Sequence, residues 1–161
     1  MIKKTILWML VIFISVQIFS FSSDNSNESS RKSGKIVTYV VEIIKDLSLF
    51  DEVNETELRE QCQFIIRKGA HFSIYLLLAL AVFELSKSYN IKVKYCLLIS
   101  ALYCLFYAIS DETHQLFIEG RSGEVRDVLV DFSGALFGLT LRMFVYKFVE
   151  SGRNKKKKEK F

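Results

Sequence analysis

Residues 110–131 read SDETHQLFIEGRSGEVRDVLVD and lie between two strongly apolar runs, 95–109 and 128–149. Each run is long enough to cross, or nearly cross, a bilayer, whose hydrocarbon core of roughly 30 Å takes about 20 mostly apolar residues per helix. The stretch between them carries six carboxylates (Asp111, Glu112, Glu119, Glu124, Asp127 and Asp131), together with Arg121, Arg126, His114 and Gln115. A connecting loop needs only a few polar residues to stay wet. Ionisable groups at the edge of a membrane are costly to keep and by default mark a functional site. The rest of the chain reads as a membrane scaffold that holds this stretch in place.

Composition agrees with that reading. The chain has 161 residues, 50% of them hydrophobic, with no proline and seven glycines. The apolar residues come in blocks rather than at the spread-out periods of a soluble domain, and the lack of proline favours straight helices. The net charge of +4 reflects basic residues gathered at the two ends and gives no reason to expect a nucleic-acid partner. Cys62, Cys96 and Cys104 form no CxxC pair, so neither a disulfide framework nor a zinc–thiolate site is expected.

Taken in order, Lys3 and Lys4 precede an apolar run over 6–21. This is a first transmembrane helix or a signal peptide, and the length of the run, with no A-x-A cleavage pattern, favours the retained helix. Residues 22–34 (SSDNSNESSRKSG) are Ser/Asn-rich and read as a flexible linker. Ile36, Val37, Val40, Val41, Ile43, Ile44, Leu47 and Leu49 then recur at helical spacing, an amphipathic helix expected at the outer membrane surface or against the bundle. A second, charged helix is expected over 55–68, with Asn54 or Thr56 as its cap. The apolar block 64–85 follows, with Arg67, His71 and Tyr75 at i, i+4 and i+8 along one face. This divides the chain into a first span (1–21), an outer polar segment (22–62), a three-helix core (63–149) with an outer loop (110–127), and a basic tail (150–161).

Orientation follows from the lysines and arginines of the short loops. Lys3 and Lys4, the loop carrying Lys87, Lys92 and Lys94, and the tail are basic, whereas the other two loops are mixed and acidic. The consistent solution is an all-α bundle of four transmembrane helices with both termini cytoplasmic. Arg67, His71 and the 110–131 stretch then share the outer face.

Within the fourth helix Asp127, Asp131, Gly134, Gly138 and Arg142 follow one another on a single face. Gly134 and Gly138 form a G-x-x-x-G that lets a neighbouring helix approach closely. Arg142 is expected to snorkel or to pair with Glu84. Asp111, His114 and Gln115 share a face if the third helix continues past Ser110. Three readings of the cluster stay open. Arg67, Arg121 and Arg126 can pair with Asp111, Glu112, Asp127 and Asp131 to tie the helix ends together, and chemistry alone puts this reading first. The arginines can instead receive an anionic ligand while His114 or a carboxylate moves protons. A metal held by His71, His114 and two carboxylates is the third, with a weak signal, because DETHQ is not HExxH.

The runs SDETHQLF-I-E-GRSGEVRDVLVDFSGALFG and RKGAHFSIYLLLAL, with FSFSSDNSNESSRKSG after the first apolar helix, resemble the VanZ-like membrane proteins over about residues 6–145. The matching positions are Lys68, His71, Tyr75, Asp111, Glu112, His114, Gln115, Gly120, Arg121, Gly123, Asp127, Asp131 and Gly134. Glu119 departs from the proline often found before the Gly-Arg pair. The resemblance implies a small polytopic envelope protein of the kind whose namesake gives low-level teicoplanin resistance. It supplies no catalytic residues, and no nucleotide or coenzyme A phosphate loop is present to support the acyl-phosphate transferase label some relatives carry. The expected function is to change glycopeptide susceptibility by binding a lipoglycopeptide or altering its access to lipid-linked wall precursors. The alternatives are a membrane-embedded enzyme acting on a lipid or lipid-linked wall component, and a structural subunit paired with another membrane protein. Asp111, Glu112, His114 and Asp127 are the candidate acids and bases. Arg67, Lys68, His71, Tyr75, Gln115, Arg121, Arg126 and Asp131 are the candidate binding residues, with no metal and no cofactor expected. The Lys-, Ile-, Phe- and Asn-rich, proline-free usage points to a low-GC Gram-positive source.

Overall fold

The computed structural model describes residues 1–23, 26–46, 54–118 and 123–158. Among the described residues there are five helices: α1 (Ile2–Ser23), α2 (Ser26–Asp46), α3 (Glu55–Ser88), α4 (Val93–Gln115) and α5 (Val125–Lys158). Among the described residues there is no strand. Helices α1, α3 and α4 and the Val125–Phe148 part of α5 are long and apolar enough to cross a membrane. A helix satisfies its backbone hydrogen bonds within its own segment, so these apolar blocks can leave water without orphaned N–H or C=O groups. Trp8, Ile12, Phe13 and Phe19 of α1, Leu98, Leu102 and Phe106 of α4, and Phe137, Leu141 and Phe144 of α5 stand on the outside. So large an apolar surface suits lipid rather than water.

Helix α3 is the centre of the bundle and packs against each of the other four, most extensively against α5. Tyr75, Leu78, Ala79 and Phe83 of α3 are fully buried, and Val11, Ile14 and Ile18 of α1 and Ala135 and Leu139 of α5 close over them. The α3–α5 seam is tight because Gly134 and Gly138 present no side chain to it. A Cβ on Gly134 would lie 2.2 Å from the Phe72 carbonyl oxygen, and one on Gly138 2.9 Å from that of Leu76. The G-x-x-x-G therefore acts as expected from its spacing.

The two ends of the bundle differ. At one, Trp8 Nε1 donates to Tyr89 Oη at 3.0 Å, Lys4 Nζ sits 4.1 Å from the centre of the Tyr89 ring, and Asn90 turns the chain with a φ of 60°. Lys3 and Lys4 thus share an end with the loop carrying Lys87, Lys92 and Lys94. Nearer this end, Arg142 Nε donates to Glu84 Oε1 at 2.5 Å, as the sequence suggested, and the guanidinium lies over the Phe83 ring. At the opposite end, Ser22 and Ser23 at the close of α1 reach Asp111 and His114 at the close of α4.

Two expectations are corrected. The stretch 22–34 is not a linker throughout: α1 continues to Ser23 and α2 begins at Ser26. Leu47 and Leu49 lie outside the described residues. The charged helix and the apolar block after it are one continuous helix, since nothing between them breaks the hydrogen-bond ladder and Gly69 meets no neighbour that would force a bend. With 34 residues at 1.5 Å each, α3 is about 51 Å long and projects well past a 30 Å hydrocarbon layer. Asn54 caps it by accepting from the Thr56 N–H at 3.0 Å. The amphipathic face of α2 packs on the projecting part of α3, with Val37 and Val41 buried against Leu58 and Cys62. Arg59 of α3 donates to Thr38 Oγ1 at 3.1 Å, and Lys45 pairs with Glu55 at the hairpin's tip.

Candidate functional site

The close α3–α5 seam decides which polar groups meet. Asp127 and Asp131 lie on the same face of α5 as the two glycines, so the face drawn against α3 carries both acids to Lys68 and His71. Lys68 Nζ donates to Asp127 Oδ1, and His71 Nδ1 lies 3.6 Å from Asp131 Oδ1. From α4, Asp111 completes a group in which one atom each of His71, Asp111 and Asp131 lies within 4.8 Å of the others. These three come from three helices, and no spacing within one helix could have joined them.

The surroundings are dry. Asp111, Glu112 and Asp131 are only 4%, 6% and 1% exposed. A buried carboxylate needs hydrogen bonds or a counter-charge to offset its lost hydration. Gln115 Nε2 supplies part of this, donating to Glu112 Oε1 at 3.1 Å and Asp111 Oδ2 at 3.3 Å. The other oxygen of Glu112 accepts from the Glu124 N–H at 3.0 Å, immediately before α5 begins. A carboxylate there satisfies an otherwise orphaned donor and complements the helix dipole. Asp131 Oδ2 has no hydrogen-bond partner, and neither has the hydroxyl of Tyr75, one turn along α3 from His71 and within electrostatic reach of Asp111 and Asp131.

Other candidates sit apart. His114 is turned towards α1, where its ring stacks on Phe19 at 4.6 Å and its Nε2 meets Ser23 Oγ at 3.3 Å. It is therefore not a member of the His71 group. Arg67 is half-buried and Arg126 exposed, and among the described residues neither forms an ion pair. Among the described residues it is Lys68, rather than Arg67 or Arg126, that pairs with an acid of this group. Arg121, with Glu119 and Gly120, lies outside the described residues. The sequence reading missed Ser22, Ser23 and Phe19 because a serine-rich exit from an apolar run looks like a linker or a cleavage region.

Beside the polar group, a cavity of about 360 Å³ opens between α4 and α5. It is lined mainly by apolar side chains, Ile109, Leu116, Val125 and Val128 among them, with Glu112 on its wall. Glu112 thus belongs to both the buried cluster and the cavity.

A comparison with family profiles matches residues 5–146 to VanZ/LLP1. No curated protein and no solved structure gives a match. The matched segment contains α3 and α4, nearly all of the other two apolar spans, and every polar residue of the cluster. This four-span membrane protein therefore belongs to the VanZ/LLP1 family.

Proposed function

We propose that this protein works in the cell envelope, with its polar end at the outer surface and both termini in the cytoplasm, and lowers susceptibility to teicoplanin-type lipoglycopeptides. The observation that carries this reading is the junction at Glu112 of a polar cluster with an apolar cavity. Such a junction suits an amphiphile with an acyl chain and a charged head. Each methylene withdrawn from water contributes about 0.8 kcal/mol, so a short acyl segment in the cavity would anchor the ligand. A bulky head would stay at the rim, near Thr113 and Glu124, because the carboxylates beneath are closed in by three helices. The outward orientation draws support from the lysines collected at the opposite end.

A second reading keeps its place on a different observation. The unpartnered oxygens of Asp131 and Tyr75 beside His71 suit proton transfer to a lipid-linked wall component. Susceptibility separates the readings. In a Gram-positive host lacking the gene, the wild-type chain should raise teicoplanin tolerance. Asp111→Asn/Asp131→Asn at matched membrane levels should lose all of that gain if the site is catalytic, and part of it if the cavity does the binding. Unchanged tolerance with the wild-type chain would remove the antibiotic role.

A further inference from the structure

We propose that His71, Asp111 and Asp131 bind a single divalent transition-metal ion of the zinc or manganese class. The inference deepens the reading of this end of the bundle as the working site, but it stands on geometry alone.

One imidazole nitrogen and two carboxylate oxygens, one from each of three helices, lie within 4.8 Å of one another. Three atoms so spaced leave a point no more than about 2.8 Å from each, and zinc–nitrogen and zinc–oxygen bonds are about 2.0–2.2 Å. Closing the remaining gap takes small side-chain rotations, with no movement of the helices. The donors fit this class of ion, since imidazole favours zinc and its neighbours while carboxylates suit manganese as well.

Charge and unsatisfied valence point the same way. Asp111 and Asp131 are both buried, and the nearest lysine, Lys68, is engaged by Asp127. Gln115 offers only a neutral amide to Asp111. Asp131 Oδ2, on a side chain only 2% exposed, and the hydroxyl of Tyr75, on a residue wholly buried, have no partner. An ion would neutralise the two carboxylates and give that oxygen a bond. Tyr75 would then stand beside the ion, able to hold a fourth ligand such as water.

The test uses the full-length protein purified in detergent micelles, stripped with chelator and titrated with zinc or manganese chloride, with magnesium and calcium as comparison arms. Expected are one equivalent of zinc or manganese per chain and a rise in Tm. Asp111→Asn and Asp131→Asn should each lower affinity at least tenfold, while Glu57→Gln on the projecting part of α3 should leave it unchanged. Metal-free Asp131→Asn should melt no lower than metal-free wild type, because removing one of two facing charges relieves repulsion, and it should gain nothing from the ion. X-ray absorption of the zinc-loaded wild type should show only nitrogen and oxygen neighbours. A wild type that takes up no ion, Asn variants that bind it as tightly as wild type, or a sulfur neighbour would overturn the proposal. Because no antibiotic enters the experiment, its failure is separate from failure of the susceptibility role.

Discussion

Replacing Gly134 by alanine tests the packing that builds the site. The added Cβ would stand 2.2 Å from the Phe72 carbonyl oxygen, 2.9 Å from its carbonyl carbon and 3.0 Å from its Cα. The obstacle is backbone, so no side chain can swing away, and α3 and α5 must part by about 1 Å to restore contact distance. Overpacking of this kind costs about 3 kcal/mol, and the better helix propensity of alanine returns about 1, leaving a net loss of about 2 kcal/mol. Gly138→Ala meets the Leu76 carbonyl at 2.9 Å, a milder overlap. Its cost of about 1 kcal/mol is matched by the propensity gain, so it should be close to neutral. Gly69→Ala has no neighbour within 4 Å and should stabilise by up to about 1 kcal/mol. Unfolding by sodium dodecyl sulfate in mixed micelles, followed by circular dichroism, gives the three values on one scale. A Gly134→Ala protein as stable as wild type would refute the close seam, and with it the argument that the seam sets Asp131 against His71.

Two further predictions concern the attachments of α1 and α2. Tyr107 Oη donates to the Ser15 carbonyl at 2.6 Å, linking α4 to α1, so Tyr107→Phe should cost about 1 kcal/mol in the same unfolding assay. Val41 of α2 is 1% exposed where it packs against α3, and Val41→Asp should detach α2. Hydrogen exchange should then show lost protection across 36–46 with the spanning helices unchanged, and a general loss would mean that α2 is part of the bundle's core.

Much of the fold was legible because membrane spans announce themselves as blocks. The four apolar runs, the G-x-x-x-G contact, the Arg142–Glu84 pair and the Asn54 cap could all be read from residue type and spacing. The linker could not, because Ser/Asn-rich composition gives no sign that a helix resumes at Ser26. What seats α2 is the contact of Val37 and Val41 with Leu58 and Cys62, which a local reading does not contain.

The site was legible as a list of residues and not as an arrangement. At about 100° per residue, His114 lies about 60° to one side of Asp111 on α4, and Gln115 about 40° to the other. That difference is enough to turn His114 to Phe19 on α1 while Asp111 and Gln115 face the bundle. Likewise, the arginines near the acids suggested arginine pairing, yet among the described residues helix rotation sets Lys68 and His71, and not Arg67 or Arg126, against the acids. Which way each helix is turned is set by the seams, above all by Gly134.

The proposed function requires that the His71–Asp111–Asp131 end of the bundle meet the outside of the cell. With Cys62, Cys96 and Cys104 replaced by alanine, single cysteines at the exposed Thr113 and Asn90 would report on the two ends. A membrane-impermeant maleimide applied to intact cells should label Thr113→Cys and spare Asn90→Cys until the cells are opened. Labelling of Asn90→Cys alone would put the polar cluster in the cytoplasm and overturn the proposed function.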